Sequence, residues 1–325
     1  MTYFMISNRK LHKGVPGKER GKLAYYVAPA GEKLDVFPHW QGVTKHAFHA
    51  RLLKAAEAFP SVPEERHDEQ HHVSLLVHGY SNDWDDAARR YQKVCSQLFA
   101  GSGSLGVCVL FSWPSNGNAA GYLPDRADAK ASAADFTEVL RELHDYMLKK
   151  QREASSSPDH ACRAKVSVIA HSMGNYLLQE AMHSLWQRIN QPLLLSLVNE
   201  LIMVAADVDN DLFKSGEATG LSVGDAMANL TYRITALYSG LDKVLGVSAG
   251  LKHFGKRRLG RSGLDRTYPL PDNVWDIDCS PWLESESAHS AYFESPQVYA
   301  LMRELLRGSN RRVIERSALF PQPSA

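Results

Sequence analysis

Residues Val166 to Leu178 read VSVIAHSMGNYLL: a β-branched apolar run that ends at Ala170-His171-Ser172-Met173-Gly174 and passes directly into helical spacing, with Leu178, Ala181, Met182, Leu185 and Ile189 in phase. A serine on a sharp turn between a strand and a helix is lifted clear of the sheet's carboxyl edge. Such a turn needs small residues two before and two after the serine, because strand and helix approach too closely for side chains. Ala170 and Gly174 meet that need, with alanine where the strict G-x-S-x-G pattern has glycine.

Working outward, the same alternation recurs. Strands are expected at Val73–His78, Gly106–Trp113, Val166–Ala170, Leu201–Ala206, Ile234–Tyr238 and Val274–Ile277. Helices are expected between them, carrying Trp84, Ala87, Ala88, Tyr91, Cys95 and Leu98, then Phe136 to Met147, with a closing helix at Gln297–Leu306. This pattern predicts an α/β fold: a mainly parallel central sheet, helices on both faces, and loop or cap insertions. One domain over residues 1–325 fits better than two, with 1–70 as an N-terminal extension in which Tyr3–Ser7 and Leu23–Ala28 could add strands. Segments 209–230 and 241–270 fall where lids or caps insert, and Leu212, Phe213, Leu221 and Met227 could line an apolar pocket or belong to the core.

A serine hydroxyl is a poor nucleophile until a base takes its proton, so a histidine and an orienting acid are required. In this architecture they follow the serine, acid first. His289, between the last strand and the closing helix, is the favoured base over His253, which lies in a basic run. The acid is expected at Asp242, after the strand Ile234–Tyr238, with Asp207 and Asp209, one strand earlier, as alternatives. The oxyanion formed on attack needs two backbone N–H donors. Met173, at the head of the helix, and Tyr80, in His78-Gly79-Tyr80 after the first strand, are placed to supply them.

Through these motifs, together with Ser7-Asn8-Arg9, Phe111-Ser112-Trp113-Pro114-Ser115, Ala205 to Asp209, Leu237-Tyr238-Ser239 and Arg258-Leu259-Gly260, the chain resembles the α/β-hydrolase superfamily. It is most similar to a bacterial serine esterase/lipase-like group of unknown function. The resemblance covers nearly the whole chain, thinning over residues 10–70. It implies a Ser172–Asp242–His289 triad, no cofactor, and hydrolysis of a small-molecule carboxylic ester through an acyl-enzyme. The alternative is a catalytically inactive scaffold of the same fold that binds a partner, since fold alone does not guarantee chemistry.

Composition narrows the rest. The chain has 325 residues, 44% hydrophobic and 22% charged, with a net charge of +1. That balance gives no global electrostatic ground for a nucleic-acid partner. No apolar stretch is long enough for an integral membrane segment or a secretory leader, so a cytoplasmic location is expected. Cys95, Cys108, Cys162 and Cys279 form no C-x-x-C pair and read as buried free thiols. His67, His71 and His72 with Asp68 and Glu69 match no metal motif, and no metal site is expected. Lys252, Lys256, Arg257, Arg258, Arg261 and Arg266 form a local basic stretch, read as a solvated loop rather than an anion-steering patch.

Overall fold

The structure is a computed structural model that describes residues 2–62, 69–115, 122–156, 164–189, 196–214, 223–249, 255–284, 288–317 and 319. In chain order the strands are β1 (Thr2–His12), β2 (Val15–Pro29), β3 (Gln41–Val43), β4 (His72–Val77), β5 (Gly106–Ser112), β6 (Lys165–His171), β7 (Val198–Val204), β8 (Thr231–Tyr238) and β9 (Val274–Asp278). The helices used below are α1 (Lys45–Glu57), α2 (Trp84–Leu98), α3 (Tyr122–Ser156), α4 (Met173–Ile189), α5 (Val223–Leu230), α6 (Lys243–Val247), α7 (Leu259–Ser262), α8 (Ala288–Ala291) and α9 (Pro296–Leu306).

The strands form one nine-stranded sheet in the order β3-β2-β1-β5-β4-β6-β7-β8-β9. From β1 to β9 every neighbouring pair is parallel; β2 and β3 are antiparallel additions. Successive strand residues face opposite layers. Phe4, Val109, Phe111, Val168, Leu201 and Met203 pack on one face with Phe48 of α1, Phe136 and Leu140 of α3, Leu178 of α4 and Met227 of α5. Met5, Cys108, Leu110, Ile169 and Ile202 pack on the other with Tyr91 and Leu98 of α2 and with Val298, Leu301 and Leu305 of α9. Burial on both faces explains why these strands are continuous apolar runs in the sequence.

From β4 the chain moves to β5 on one side and then to β6 on the other. The carboxyl ends of β4 and β6 therefore flank a point where strand order reverses, which is where open α/β sheets form their ligand crevice. The loops 78–83 and 171–173 both open there.

The N-terminal residues are not an appendage. β1 pairs with β5 inside the sheet, and β1 and β2 form a long hairpin closed by Lys13 and Gly14, both at positive φ (50° and 83°). Such a two-residue turn matches the twist of its strands. Phe213 and Met227, from one expected cap segment, are buried in the core; Leu221 lies outside the described residues.

Candidate active site

Ser172 has φ 51°, the left-handed conformation that a side chain adopts only when its surroundings force it. The forcing contacts are explicit. The Ser172 N–H donates to Val204 O (2.9 Å), and its carbonyl accepts from the N–H groups of Asn175 (3.0 Å) and Asp207 (3.2 Å). Buried Asn175 bonds the Ala170 carbonyl through Nδ2 (2.8 Å), tying strand end to helix start. A Cβ on Gly174 would lie 2.5 Å from the His78 carbonyl oxygen, so β4 and the head of α4 touch backbone to backbone there. Asn175, which adjoins the elbow motif in the sequence, thus ties the turn together.

The loop after β4 is held equally tightly. A Cβ on Gly79 would meet Ser172 Cβ at 2.8 Å, so the residue before Tyr80 lies directly against the serine. His78 stacks on Trp113, accepts from the Trp113 N–H through Nε2 (3.1 Å), and donates Nδ1–H to the Gly79 carbonyl (3.0 Å). Complete burial, with Arg9 nearby, lowers its pKa to about 3 and keeps it neutral. Asn82 Nδ2 bonds the carbonyls of Gly79 and Tyr80, while Arg9 Nη2 holds the Asn82 carbonyl (3.0 Å). Met173 opens α4 with an N–H that has no acceptor among the described residues, as the first N–H groups of a helix do.

His289 sits in the short α8 and spans the two other site residues. Ser172 Oγ–H donates to His289 Nε2 (2.9 Å), and His289 Nδ1–H donates to Asp242 Oδ2 (2.7 Å). Asp242 is fully buried and also caps α6, accepting from the Leu245 N–H through Oδ1 (2.9 Å). Its backbone is fixed by its own N–H to Ser239 O (3.1 Å) and by the guanidinium of Arg261 on its carbonyl. His171, the variable second residue of the elbow, has a further role. Its Nε2–H donates to the His289 carbonyl (2.9 Å), and its Nδ1 accepts from Arg90 Nη1 (3.0 Å). Burial, then the adjacent Arg90 and His289, push its pKa well below the usual histidine range, so it holds the His289 carbonyl as a neutral ring. Sequence reading missed both Arg90 and His171 in this capacity; a polar residue inside a buried elbow was the available signal.

The alternative acids serve elsewhere. Asp207 accepts from Tyr122 Oη (2.7 Å), Ser248 Oγ (3.2 Å) and Arg258 Nε (2.9 Å), while Asp209 pairs with Arg258 and with Lys256 (3.1 Å). Neither reaches His289. The basic stretch is a solvated loop only in part, with Lys256, Arg257 and Arg266 exposed. Arg258 is 1% exposed, Arg261 holds the Asp242 carbonyl, and Arg266 pairs with Asp276. Arg258 and Arg261 tie down the loops after β7 and β8, while Arg266 reaches Asp276 of β9 from the surface. His253 and Lys252 lie outside the described residues, as do His67 and Asp68. Among the described residues no group of three or more His, Cys, Asp or Glu side chains could hold a metal. Cys95, Cys108 and Cys279 are buried and free; Cys162 is not described.

A nine-stranded, mostly parallel sheet with a serine elbow at its strand-order reversal is the α/β-hydrolase fold. The family model "Alpha/beta hydrolase of unknown function (DUF900)" matches residues 56–307, and the chain belongs to that family. It is 39% identical over 247 residues to the uncharacterized protein alr1448 of Nostoc sp., covering 62% of this chain. The match spans 59% of the length of that relative. Similar solved structures include Aspergillus fumigatus lipase B (13% identity, TM-score 0.40, covering 85% of this chain and 61% of that one). They also include Est1E from Butyrivibrio proteoclasticus (12%, TM-score 0.38, 76% and 89%) and a thermostable esterase from Pseudomonas putida ECU1011 (10%, TM-score 0.37, 95% and 82%). No described helix is long and apolar enough to cross a membrane.

Proposed function

We propose that the protein is a serine hydrolase that cleaves carboxylic esters through a covalent acyl-enzyme. The observation that carries this reading is the unbroken chain from Ser172 Oγ through His289 to Asp242, at 2.9 and 2.7 Å, within ordinary hydrogen-bond reach. Ser172 Oγ attacks the ester carbonyl as His289 Nε2 takes its proton. Asp242 fixes the Nδ1–H tautomer and stabilises the imidazolium. The N–H groups of Met173 and Tyr80 receive the developing oxyanion; removing one such donor typically costs about 10²–10³ in kcat. His289 then passes its proton to the departing alcohol, and a water activated by the same ring releases the acid and restores Ser172. No step needs a cofactor or a metal. The buried free thiols of Cys95, Cys108 and Cys279, the cysteines among the described residues, fit a reducing, cytoplasmic setting.

Turnover of 4-nitrophenyl acetate tests the reading, since a small acyl group enters most such sites. Hydrolysis that disappears in Ser172→Ala is the expected result. A folded wild-type protein that cleaves neither this ester nor longer acyl homologues would leave the inactive-scaffold reading standing.

A further inference from the structure

The direction of the Tyr80 N–H is set by the carbonyl that shares its peptide. In a planar peptide unit the carbonyl and the N–H point opposite ways, so whatever fixes the Gly79 carbonyl aims the Tyr80 N–H. Two donors fix it, His78 Nδ1 (3.0 Å) and Asn82 Nδ2 (3.1 Å), and Asn82 Nδ2 also bonds the Tyr80 carbonyl (2.7 Å). Asn82 reaches back in this way across Ser81, whose φ of 56° is a left-handed conformation that persists only when its surroundings hold it. The Ser81 N–H donates to Asp125 Oδ2 (3.4 Å). Asn82 is itself anchored at both backbone groups: its N–H donates to Ser115 Oγ (3.3 Å), and its carbonyl accepts from Arg9 Nη2 (3.0 Å).

Arg9 comes from β1, seventy-three residues before Asn82. The β1–β2 ladder shifts register on either side of it, an irregularity of the kind that re-aims a side chain. Nε donates to Ser112 Oγ at the end of β5 (3.0 Å), and Nη1 to the carbonyls of Gly17 in β2 (3.1 Å) and Ser115 (3.4 Å). One fork thus joins the N-terminal hairpin, the end of β5 and the loop that carries the proposed oxyanion donor. Arg9 is buried, and burial lowers its pKa to about 10 while Asp83 and Asp125 draw it upward, so it is charged at neutral pH. These four bonds all go to uncharged oxygens, and a buried cation so placed is a costly way merely to tie strands together. What the charge adds is stiffness: a charged donor grips a carbonyl about twice as strongly as a neutral one, and the planar fork fixes several acceptors in one geometry.

We propose that Arg9 is a positioning residue: through Asn82 it fixes the Gly79–Tyr80 peptide so that the Tyr80 N–H faces the oxyanion formed at Ser172. This rests on the ester-hydrolase reading above. The test compares 4-nitrophenyl acetate with its thiono analogue, in which sulfur replaces the carbonyl oxygen. Sulfur is larger and a weaker acceptor, so the thiono ester gains little from aligned N–H donors, and the oxygen-to-sulfur ratio of kcat/KM reads their alignment. That ratio is independent of how much of the protein is folded. In Arg9→Met it is expected to fall about tenfold or more, with the loss for the oxygen ester in kcat and KM within about threefold of wild type. Arg9→Lys, which keeps the charge without the fork, recovers part of the ratio. A wild-type ratio near one, or a ratio unchanged in Arg9→Met, overturns the proposal. If Arg9→Met does not fold, Ser112→Ala, which removes only the acceptor of Nε, takes its place: a lowered ratio supports the proposal and an unchanged one overturns it. If the wild type cleaves neither ester, the hydrolase reading fails, and hydrogen exchange of a peptide spanning residues 78–84 decides separately whether Arg9 fixes this loop. The Ser81 and Asn82 amides, bonded to Asp125 and Ser115, should then exchange about tenfold or more faster in Arg9→Met while β6 and β7 keep their protection. Exchange that is unchanged in the loop, or raised equally in β6 and β7, overturns it.

Discussion

Two loops at the same sheet edge carry aspartates and do opposite things with them. After β7, Asp207 and Asp209 converge on Arg258, which arrives from the chain between α6 and α7 and is sealed from solvent. After β8, one strand over, Asp242 meets a histidine that turns a second nitrogen toward Ser172. Asp207 and Asp242 are both buried and both need a partner, because an unpaired charge in the interior is costly. What separates them is the partner. An arginine stays protonated and makes a permanent tie, whereas a histidine can take and return a proton. The first loop is architecture, and the second is the proposed machinery.

That contrast gives its own tests. Asp242→Asn should lower kcat by up to about 10⁴-fold, since asparagine keeps the geometry but favours the wrong histidine tautomer. Its stability should change little, because asparagine caps α6 as well as aspartate does. Urea midpoints beside initial rates check both halves. Asp207→Ala should reverse the pattern. Removing one member of a buried pair typically costs about 3–5 kcal/mol, here toward the lower end because Arg258 keeps Asp209, while activity per folded molecule stays within about tenfold of wild type. Asp209→Ala, at a partly exposed position, should cost no more than about 1 kcal/mol. An Asp207 variant that loses activity with its urea midpoint unmoved would erase the distinction between the loops. Smaller than the Asp242 effect should be that of His171→Leu. It removes the donor that holds the His289 carbonyl and should lower kcat by about 10²-fold, the scale of a small misplacement of a reacting group. An unchanged rate in that variant would show that His289 needs no such support.

The same contrast explains what was legible in the sequence. The elbow, the His78-Gly79 turn and the inner strands could be read because each is a local requirement: small residues where backbones touch, and apolar runs where both faces are covered. The choice of Asp242 over Asp207 and Asp209 was a choice of strand. What excludes the earlier pair from His289 is Arg258, roughly fifty residues downstream of them. No spacing rule links those positions, so the basic stretch looked like a solvated loop. The N-terminal strands were only half legible, because the far ends of β1 and β2 leave the body as a polar hairpin with little apolar alternation. Helix α1 buries Phe48 alone, too little to show a helical period. Arg90 and His171, eighty-one residues apart, carry no joint signature at all.

Whether Ser172 is an activated nucleophile is the claim on which the rest depends, and an alkyl fluorophosphonate tests it most directly. Attack by Ser172 Oγ on phosphorus expels fluoride and leaves a stable phosphonyl ester, whose position is read by mass spectrometry of the tryptic peptides. The account predicts one adduct, on Ser172, abolished in Ser172→Ala and formed far more slowly in Asp242→Asn. A folded protein that takes up no probe, or one labelled equally fast in the wild type and in Asp242→Asn, would contradict it.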